Sequence, residues 1–132
     1  MIRIAQFPGK YIQGPGALDE TGNYASIYGD KAIIFGSPTG LRVVEKQITE
    51  SLGKESVEWI VDRKFSRESS YEEVDRLEKV GGGEKVEMVI GVGGGKALDT
   101  AKALSFELKK PVIIVPTIAA TDAPCSALSS MY

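Results

Sequence analysis

The sequence predicts an α/β domain, with a Rossmann-like parallel sheet and helices on both faces of the sheet. Four short apolar, β-branched runs recur along the chain, and the segments between them carry apolar residues at helical spacing. A glycine-rich run directly follows one of the apolar runs. Alternating units of this length build parallel sheets that bind ligands at the carboxyl ends of their strands. The 132 residues have the length of one domain, so 1–132 is treated as a single unit.

The four predicted strands are the runs KAIIFG, VEWIVD, VEMVIGVG and PVIIVPT. The first predicted helix runs from about Thr39 to Leu52. Its apolar side chains Leu41, Val44 and Ile48 fall on one stripe, and charged residues occupy the rest of the surface. This spacing is typical of a surface helix packed against a sheet.

The second predicted helix runs from Ser69 to Val80. A serine can cap its start, and Val74 and Leu77 belong to its apolar stripe. Gly81–Gly83 are expected to end the helix, because glycine commonly closes helices in a left-handed conformation. A ligand-binding loop is the alternative interpretation of these three glycines.

The third predicted helix runs from Gly95 to Leu108, and Pro111 marks the entry to the next strand. The final stretch, TIAATDAPCSALSSMY, has no helical period. It is predicted to be a long loop that leads into a strand beginning only at Tyr132.

Composition and charge argue against several classes of function. The formal net charge is −2 and the two signs are interspersed, so no basic face predicts a nucleic-acid partner. The opening MIRIAQFPGK lacks the apolar stretch of a signal peptide or membrane helix, so no membrane partner is expected. Cys125 is the only cysteine, which fits a reducing compartment, so a cytoplasmic location is expected. There is no histidine, so Cys125 is expected to pack as a small residue and not to act as a nucleophile.

The run GVGGGK suggests a phosphate cradle. Bare backbone lets an anion approach closely, and the first amides of the following helix point at it. The run is not a standard G-x-G-x-x-G fingerprint, because Lys96 stands at the last glycine position. A tight strand-to-helix turn is the alternative, and both Lys96 and Asp99 are also ordinary residues for a first helical turn.

Four stretches of the sequence resemble the bacterial glycerol dehydrogenases, the polyol branch of the iron-containing alcohol dehydrogenase family. They are PGKYIQG, GVGGGKALDTAKA, VPTIAATDAPCSALS and the final Tyr132. The resemblance implies an NAD-binding domain over 1–132, truncated before a helical domain that holds zinc through one aspartate and two histidines. It therefore implies no metal ligand and no catalytic residue in these 132 residues, which should bind NAD without turnover.

The resemblance also assigns residues to the cofactor and the substrate. The NAD pyrophosphate is expected on Gly94, Gly95, Lys96, Ala97, Leu98 and Asp99. The rest of the cofactor is expected along Thr117, Ile118, Ala119 and Ala120, with Ser126, Leu128 and Tyr132 on the nicotinamide side. Asp122 is assigned to the polyol hydroxyls, since a carboxylate accepts two hydrogen bonds from a diol; a turn cap before Pro124 is its alternative role.

The sequence departs from the family pattern at three positions. Ser37 stands where an aspartate usually holds the adenosine ribose, Ala97 replaces a threonine, and Ala120 replaces a serine. These changes predict weak NAD binding with little preference over NADP, and Arg42 lies close enough in sequence to help hold a 2′-phosphate. A helix cap is the alternative role of Ser37.

The function implied by the resemblance is NAD-dependent oxidation of a small polyol, from glycerol to dihydroxyacetone, by an enzyme that forms a homo-oligomer. Two alternatives stay open. One is a relative of dehydroquinate synthase or glycerol-1-phosphate dehydrogenase, against which the loop around Asp122 argues. The other is a non-catalytic binding or assembly module, which the absence of histidine and the three departures favour.

Overall fold

A computed structural model describes residues 9–13, 16–65, 70–118, 123–124 and 127–131, with side chains for 16–65 and 70–117. The first half contains β1 (Gly9–Gln13), a short 3-10 helix (Ala17–Glu20), α1 (Thr21–Tyr28), β2 (Lys31–Gly36), α2 (Pro38–Lys54) and β3 (Glu58–Val61). The second half contains α3 (Tyr71–Glu84), β4 (Met88–Gly93), α4 (Gly95–Leu108), β5 (Val112–Ile118), β6 (Ala123–Pro124) and β7 (Ala127–Met131).

The centre of the sheet is four parallel strands in the order β3-β2-β4-β5. Strand β7 pairs antiparallel with β5, β1 pairs antiparallel with β7, and the two-residue β6 pairs with the end of β5. The parallel centre confirms the predicted fold class, and the antiparallel edge adds strands that the sequence patterns did not indicate.

Helices cover both faces of the sheet, as predicted. In β2, Ala32 and Ile34 face one core while Ile33 and Phe35 face the other. The first core takes the apolar stripe of α2, namely Leu41, Val44, Ile48 and Leu52, together with Ala25 of α1. The second core takes Leu77 of α3 and Ala97, Ala101 and Leu104 of α4. All of these side chains are buried, so β2, at the centre of the sheet, is apolar on both faces.

The prediction that Gly81–Gly83 end the second helix is wrong. Helix α3 runs through all three glycines to Glu84, and the residue in the left-handed conformation is Lys85, at φ 57°. Gly81 has a packing reason, because a Cβ there would lie 3.1 Å from the Val86 Cγ2 atom and 3.2 Å from the Leu108 Cδ1 atom. The helix closes through backbone bonds, with the Val86 N–H donating to the Gly81 carbonyl at 3.0 Å. The alternative interpretation of these glycines as a ligand-binding loop is also wrong, since all three are helical.

The prediction of one long loop at the end of the chain is also wrong, because β6 and β7 form within it. Strand β7 is short and carries two serines in five residues, and it is held by pairing with β5 and β1 across long sequence separations. Helix α1 was not predicted, and it is held by a close crossing with α2. A Cβ on Gly22 would lie only 2.0 Å from the Ser51 carbonyl oxygen, and the Gly22 N–H donates to the Ser51 Oγ at 2.8 Å. No helix among the described residues is long and apolar enough to cross a membrane.

Candidate functional site

The candidate site lies where the chain reverses its direction across the sheet. From β2 the chain moves outward to β3, whereas from β4 it moves the opposite way to β5. The carboxyl ends of β2 and β4 therefore flank a topological switch point, which is where open α/β sheets bind ligands. The two ends are joined directly, since the Ser37 N–H donates to the Val92 carbonyl at 3.0 Å.

The first two glycines of the run after β4 have structural roles. A Cβ on Gly91 would lie 2.4 Å from the Ala101 Cβ, so glycine lets α4 pack closely on the strand. Gly93 has a φ of +142°, and a Cβ there would lie 2.9 Å from the Ala97 Cβ. Both positions exclude larger residues whether or not a ligand binds.

The last glycine of the run has no such packing reason. A Cβ on Gly95 would meet nothing within 4 Å, and Gly95 is exposed at the first position of α4. Gly94 is the N-cap, and no side chain caps this helix start. The Leu98 N–H makes the first intrahelical bond, to the Gly94 carbonyl at 3.0 Å. The amides before it lie at the positive end of the helix dipole, next to open space.

The other predicted residues of this turn contribute in different ways. Ala97 is buried in the second core and the Leu98 side chain packs against that core, so both can offer only backbone to a ligand. The side chains of Lys96 and Asp99 are exposed in the first turn. The amide cradle is thus built from backbone and flanked by one exposed cation and one exposed carboxylate.

Thr117 brings a buried hydroxyl to the same edge of the sheet. It lies near the carboxyl end of β5 with only 7% of its surface exposed, and its Oγ1 atom has no hydrogen-bond partner among the described residues. The start of α2 is adjacent, because a Cβ on Gly40 would lie 3.5 Å from the Thr117 Oγ1. A buried hydroxyl without a partner costs free energy, so such a group at a ligand crevice points to a hydrogen bond made when the site is filled.

Ser37 acts as the cap of α2. Its Oγ accepts a hydrogen bond from the Gly40 N–H at 3.3 Å, and Pro38 occupies the first helical position. The cap role predicted as the alternative for Ser37 is therefore present. Ser37 also borders the glycine turn, since a Cβ on Gly93 would lie 3.3 Å from its Oγ. The starts of α2 and α4 and the end of β5 thus converge on one crevice.

Seven of the predicted site residues lie outside the described side chains. The backbones of Ile118 and Leu128 lie in β5 and β7, and their side chains are not described. Five further residues lie outside the described part of the chain: Ala119, Ala120, Asp122, Ser126 and Tyr132. Their assignment to cofactor and substrate stays a prediction.

An ion-pair network holds the segment after β3, and sequence reasoning missed it. The Arg76 guanidinium donates to both carboxylate oxygens of Asp62, at 2.8 and 2.9 Å, and to Glu73 at 2.5 Å. Burial raises the pKa of Asp62, but hydrogen bonds from Arg76 and from the Lys64 N–H outweigh it, so the pKa lies below its usual value. Only the spacing of Glu73 and Arg76 on one helix gave a signal in the sequence.

A second pair lies beside it, over a cleft of about 580 Å³ between α2 and the segment after β3. The Arg63 guanidinium donates to both carboxylate oxygens of Glu45, at 2.8 and 2.5 Å. The hydrogen bond from Arg63 lowers the pKa of Glu45. Gly36 and Pro38, at the end of β2 and the start of α2, belong to the lining of the cleft, so the cleft adjoins the switch point.

The described residues contain no group of three or more histidine, cysteine, aspartate or glutamate side chains that could hold a metal ion. The full sequence has no histidine. The arrangement supports binding of an anionic ligand through backbone amides.

Comparison with known proteins shows the family of the chain. Residues 8–132 match the family model of the iron-containing alcohol dehydrogenases. The chain is similar to the glycerol dehydrogenases of Thermotoga maritima, with 44% identity, and Pseudomonas putida, with 43%. Each match covers 100% of this chain, and 35% and 36% of the two relatives respectively.

Solved structures give the same result. The crystal structure of glycerol dehydrogenase from Schizosaccharomyces pombe matches with a TM-score of 0.68 and 29% identity, over 80% of this chain and 27% of that one. A probable glycerol dehydrogenase from Sinorhizobium meliloti matches with a TM-score of 0.68 and 32% identity, over 85% of this chain and 30% of that one. The chain spans about a third of the length of the curated relatives that it matches. Because the family model covers nearly all of its residues, the chain belongs to the iron-containing alcohol dehydrogenase family.

Proposed function

We propose that the chain is the nucleotide-binding portion of an NAD-dependent dehydrogenase that oxidises glycerol to dihydroxyacetone. The observation that carries the proposal is the uncapped, glycine-lined start of α4 at the switch point of the sheet. The similarity to glycerol dehydrogenases over the whole chain supports the substrate class. When bound, NAD supplies a hydride acceptor for the carbinol carbon of the polyol.

The residues at the start of α4 fit the pyrophosphate of a dinucleotide. The space above Gly95 is a cradle that a Cβ would fill, and the amides that follow Gly94 lie beside it. Amides at a helix start bind phosphate oxygens without any specific side chain. Exposed Lys96 adds a positive charge in the same turn. This combination explains why the run is bare of side chains at the position where packing does not require glycine.

Thr117 and Ser37 extend the proposed site to either side of the pyrophosphate. The buried Thr117 hydroxyl can donate to or accept from the cofactor, which would give it the partner that it lacks in the described part of the chain. Ser37, at the end of the strand next to the glycine strand, borders the position where dinucleotide folds hold the adenosine ribose. Asp122 is proposed to accept hydrogen bonds from the polyol hydroxyls.

The described residues of this chain offer no ligand set for the metal of the family. The family is named for iron and the sequence resemblance implies zinc, yet the chain has no histidine and its described residues form no metal-ligand group. The donors present therefore do not fit an open catalytic metal site. We expect residues 1–132, given NAD, glycerol and either metal, to form no NADH. Metal-dependent NADH formation by this polypeptide would contradict that expectation.

A cytoplasmic location and the assembly of the chain into a homo-oligomer stay predictions.

Calorimetric titration with NAD tests the proposal. One site per chain is expected, with ADP competing for it because ADP shares the pyrophosphate and the adenosine. Lys96→Gln should weaken NAD several-fold, whereas the matched Lys102→Gln, further along α4, should leave NAD affinity unchanged. A chain that binds neither NAD nor ADP would refute the cofactor assignment and favour the non-catalytic module.

A further inference from the structure

The cleft beside Ser37 carries an excess of positive charge that the pyrophosphate site does not use. Its lining includes three cations, Arg42, Lys46 and Arg63, against the single carboxylate of Glu45. Arg63 forms a two-bond pair with Glu45, at 2.8 and 2.5 Å, so this cation is already neutralised. Arg42 makes no ion pair among the described residues, and Lys46 has only a long contact to Glu50, at 3.9 Å. The cleft therefore presents uncompensated positive charge.

Arg42 lies at the end of the cleft that meets the switch point. It follows Pro38 by four residues on α2, so the two share one face of the helix, one turn apart. Both residues line the cleft together with Gly36, the last residue of β2. An exposed guanidinium is thus placed within one helical turn of the position where a dinucleotide fold holds its adenosine ribose.

Among the described residues, the ribose position itself holds no carboxylate. In dinucleotide folds an acidic residue near this strand end accepts hydrogen bonds from the ribose hydroxyls of NAD, and an arginine nearby accommodates the 2′-phosphate of NADP. Here the strand ends at Gly36 and Ser37, and the Ser37 hydroxyl accepts the Gly40 N–H as a helix cap. The nearest cleft carboxylate, Glu45, is held by Arg63. Nothing acidic in the described cleft is left to repel a phosphate at this point.

We propose that the cleft between α2 and the segment after β3 binds the 2′-phosphate of NADP, with Arg42 as its principal contact, so that the chain binds NADP at least as tightly as NAD. The proposal rests on the proposed function, because it requires the rest of the dinucleotide to lie on the start of α4. Arginine suits the role, since its planar fork can donate two hydrogen bonds to one phosphate. Lys46, one turn further along the same face, adds charge without direct contact.

The test compares NAD with NADP by calorimetry on the unaltered chain, on Arg42→Gln and on Lys54→Gln. Lys54 is the matched control because it is an exposed cation at the far end of the same helix. Arg42→Gln should weaken NADP about tenfold and change NAD less than twofold, whereas Lys54→Gln should change neither. Titration with 2′,5′-ADP and 5′-AMP, which differ only in the 2′-phosphate, should give the same contrast, and inorganic phosphate should compete weakly with the former.

Ser37→Asp provides a second, independent variant. Aspartate caps helices as well as serine, so the fold and the unfolding temperature should be retained. The added carboxylate should tighten NAD several-fold and weaken NADP. The proposal is overturned if NAD binds the unaltered chain more tightly than NADP, or if Arg42→Gln weakens both cofactors equally. Absence of binding by either cofactor would refute the proposed function itself, and the inference with it.

Discussion

Replacing Gly95 by alanine separates a ligand cradle from a simple turn. The added Cβ meets no protein atom within 4 Å, so the folded chain accommodates it without strain. Alanine is the better helix former by about 0.5–1 kcal/mol within a helix, and part of this gain applies at the first helical position. Gly95→Ala should therefore unfold at the same temperature as the unaltered chain or a few degrees above it.

The same substitution should damage cofactor binding. In an α-helix every Cα–Cβ bond tilts toward the N-terminus, so the new methyl group points into the space above the start of α4. A phosphate held there must move outward and lose at least one charge-assisted hydrogen bond, worth about 1.5–3 kcal/mol. Since about 1.4 kcal/mol corresponds to a tenfold change, NAD affinity should fall by about tenfold or more.

Gly82→Ala is the matched control for this experiment. Gly82 is also helical and a Cβ there also meets nothing within 4 Å, but it lies near the end of α3, which leads into the amino end of β4. Calorimetry and thermal unfolding of both variants should show unchanged or raised stability in each and lost affinity only for Gly95→Ala. If Gly95→Ala binds NAD as tightly as the unaltered chain, the run is only a tight turn.

Three further predictions address packing, charge and substrate. Gly91→Ala should destabilise the fold by about 1–3 kcal/mol in urea titrations, because its Cβ would lie 2.4 Å from that of Ala101; an unchanged midpoint would contradict the close packing. The lowered pKa of Asp62 stabilises the fold above its unfolded pKa of about 3.9, and this stability is lost as the pH falls through the lowered folded value. Unfolding curves at several pH values should show that Arg76→Gln weakens this loss, and an identical pH profile would contradict it. In a chimera completed with the helical domain of a relative, Asp122→Asn should raise the KM for glycerol and leave NAD affinity unchanged, whereas unchanged glycerol kinetics would favour the turn-cap role.

The sequence patterns predicted the parallel centre of the sheet well. The four apolar runs became β2 to β5, and the third helix was placed at its observed bounds, Gly95–Leu108. Helices cover both faces of the sheet, so β2, β4 and β5 are apolar over most of their length. Such continuous apolar runs are a strong local signal in the sequence. The position of the candidate site followed from the same patterns, since the glycine run directly follows β4.

The elements that the sequence patterns did not predict depend on partners that are distant in the sequence. Strand β7 is stabilised by pairing with β5 and β1, and α1 is stabilised by the close approach of Gly22 to Ser51. Neither element therefore needs a regular spacing of apolar residues in its own sequence. The glycines of α3 were misassigned because Gly81 packs beneath Val86 and Leu108, a contact that no local rule predicts. The sequence indicated Arg42, but the cleft that Arg42 shares with Arg63 was missed for the same reason: its walls come from two segments that only the fold brings together.

The central claim is that a dinucleotide lies across the starts of α2 and α4 with its pyrophosphate on the amides after Gly94. Backbone amide chemical shifts of the 132-residue chain, recorded by NMR during titration with NAD or NADP, test this claim most directly. The account predicts that the largest changes at saturation occur at Gly95, Lys96 and Ala97, with a second group at Ser37, Thr39 and Gly40. Absence of any change, or changes confined to the opposite edge of the sheet around Gly82, would contradict it.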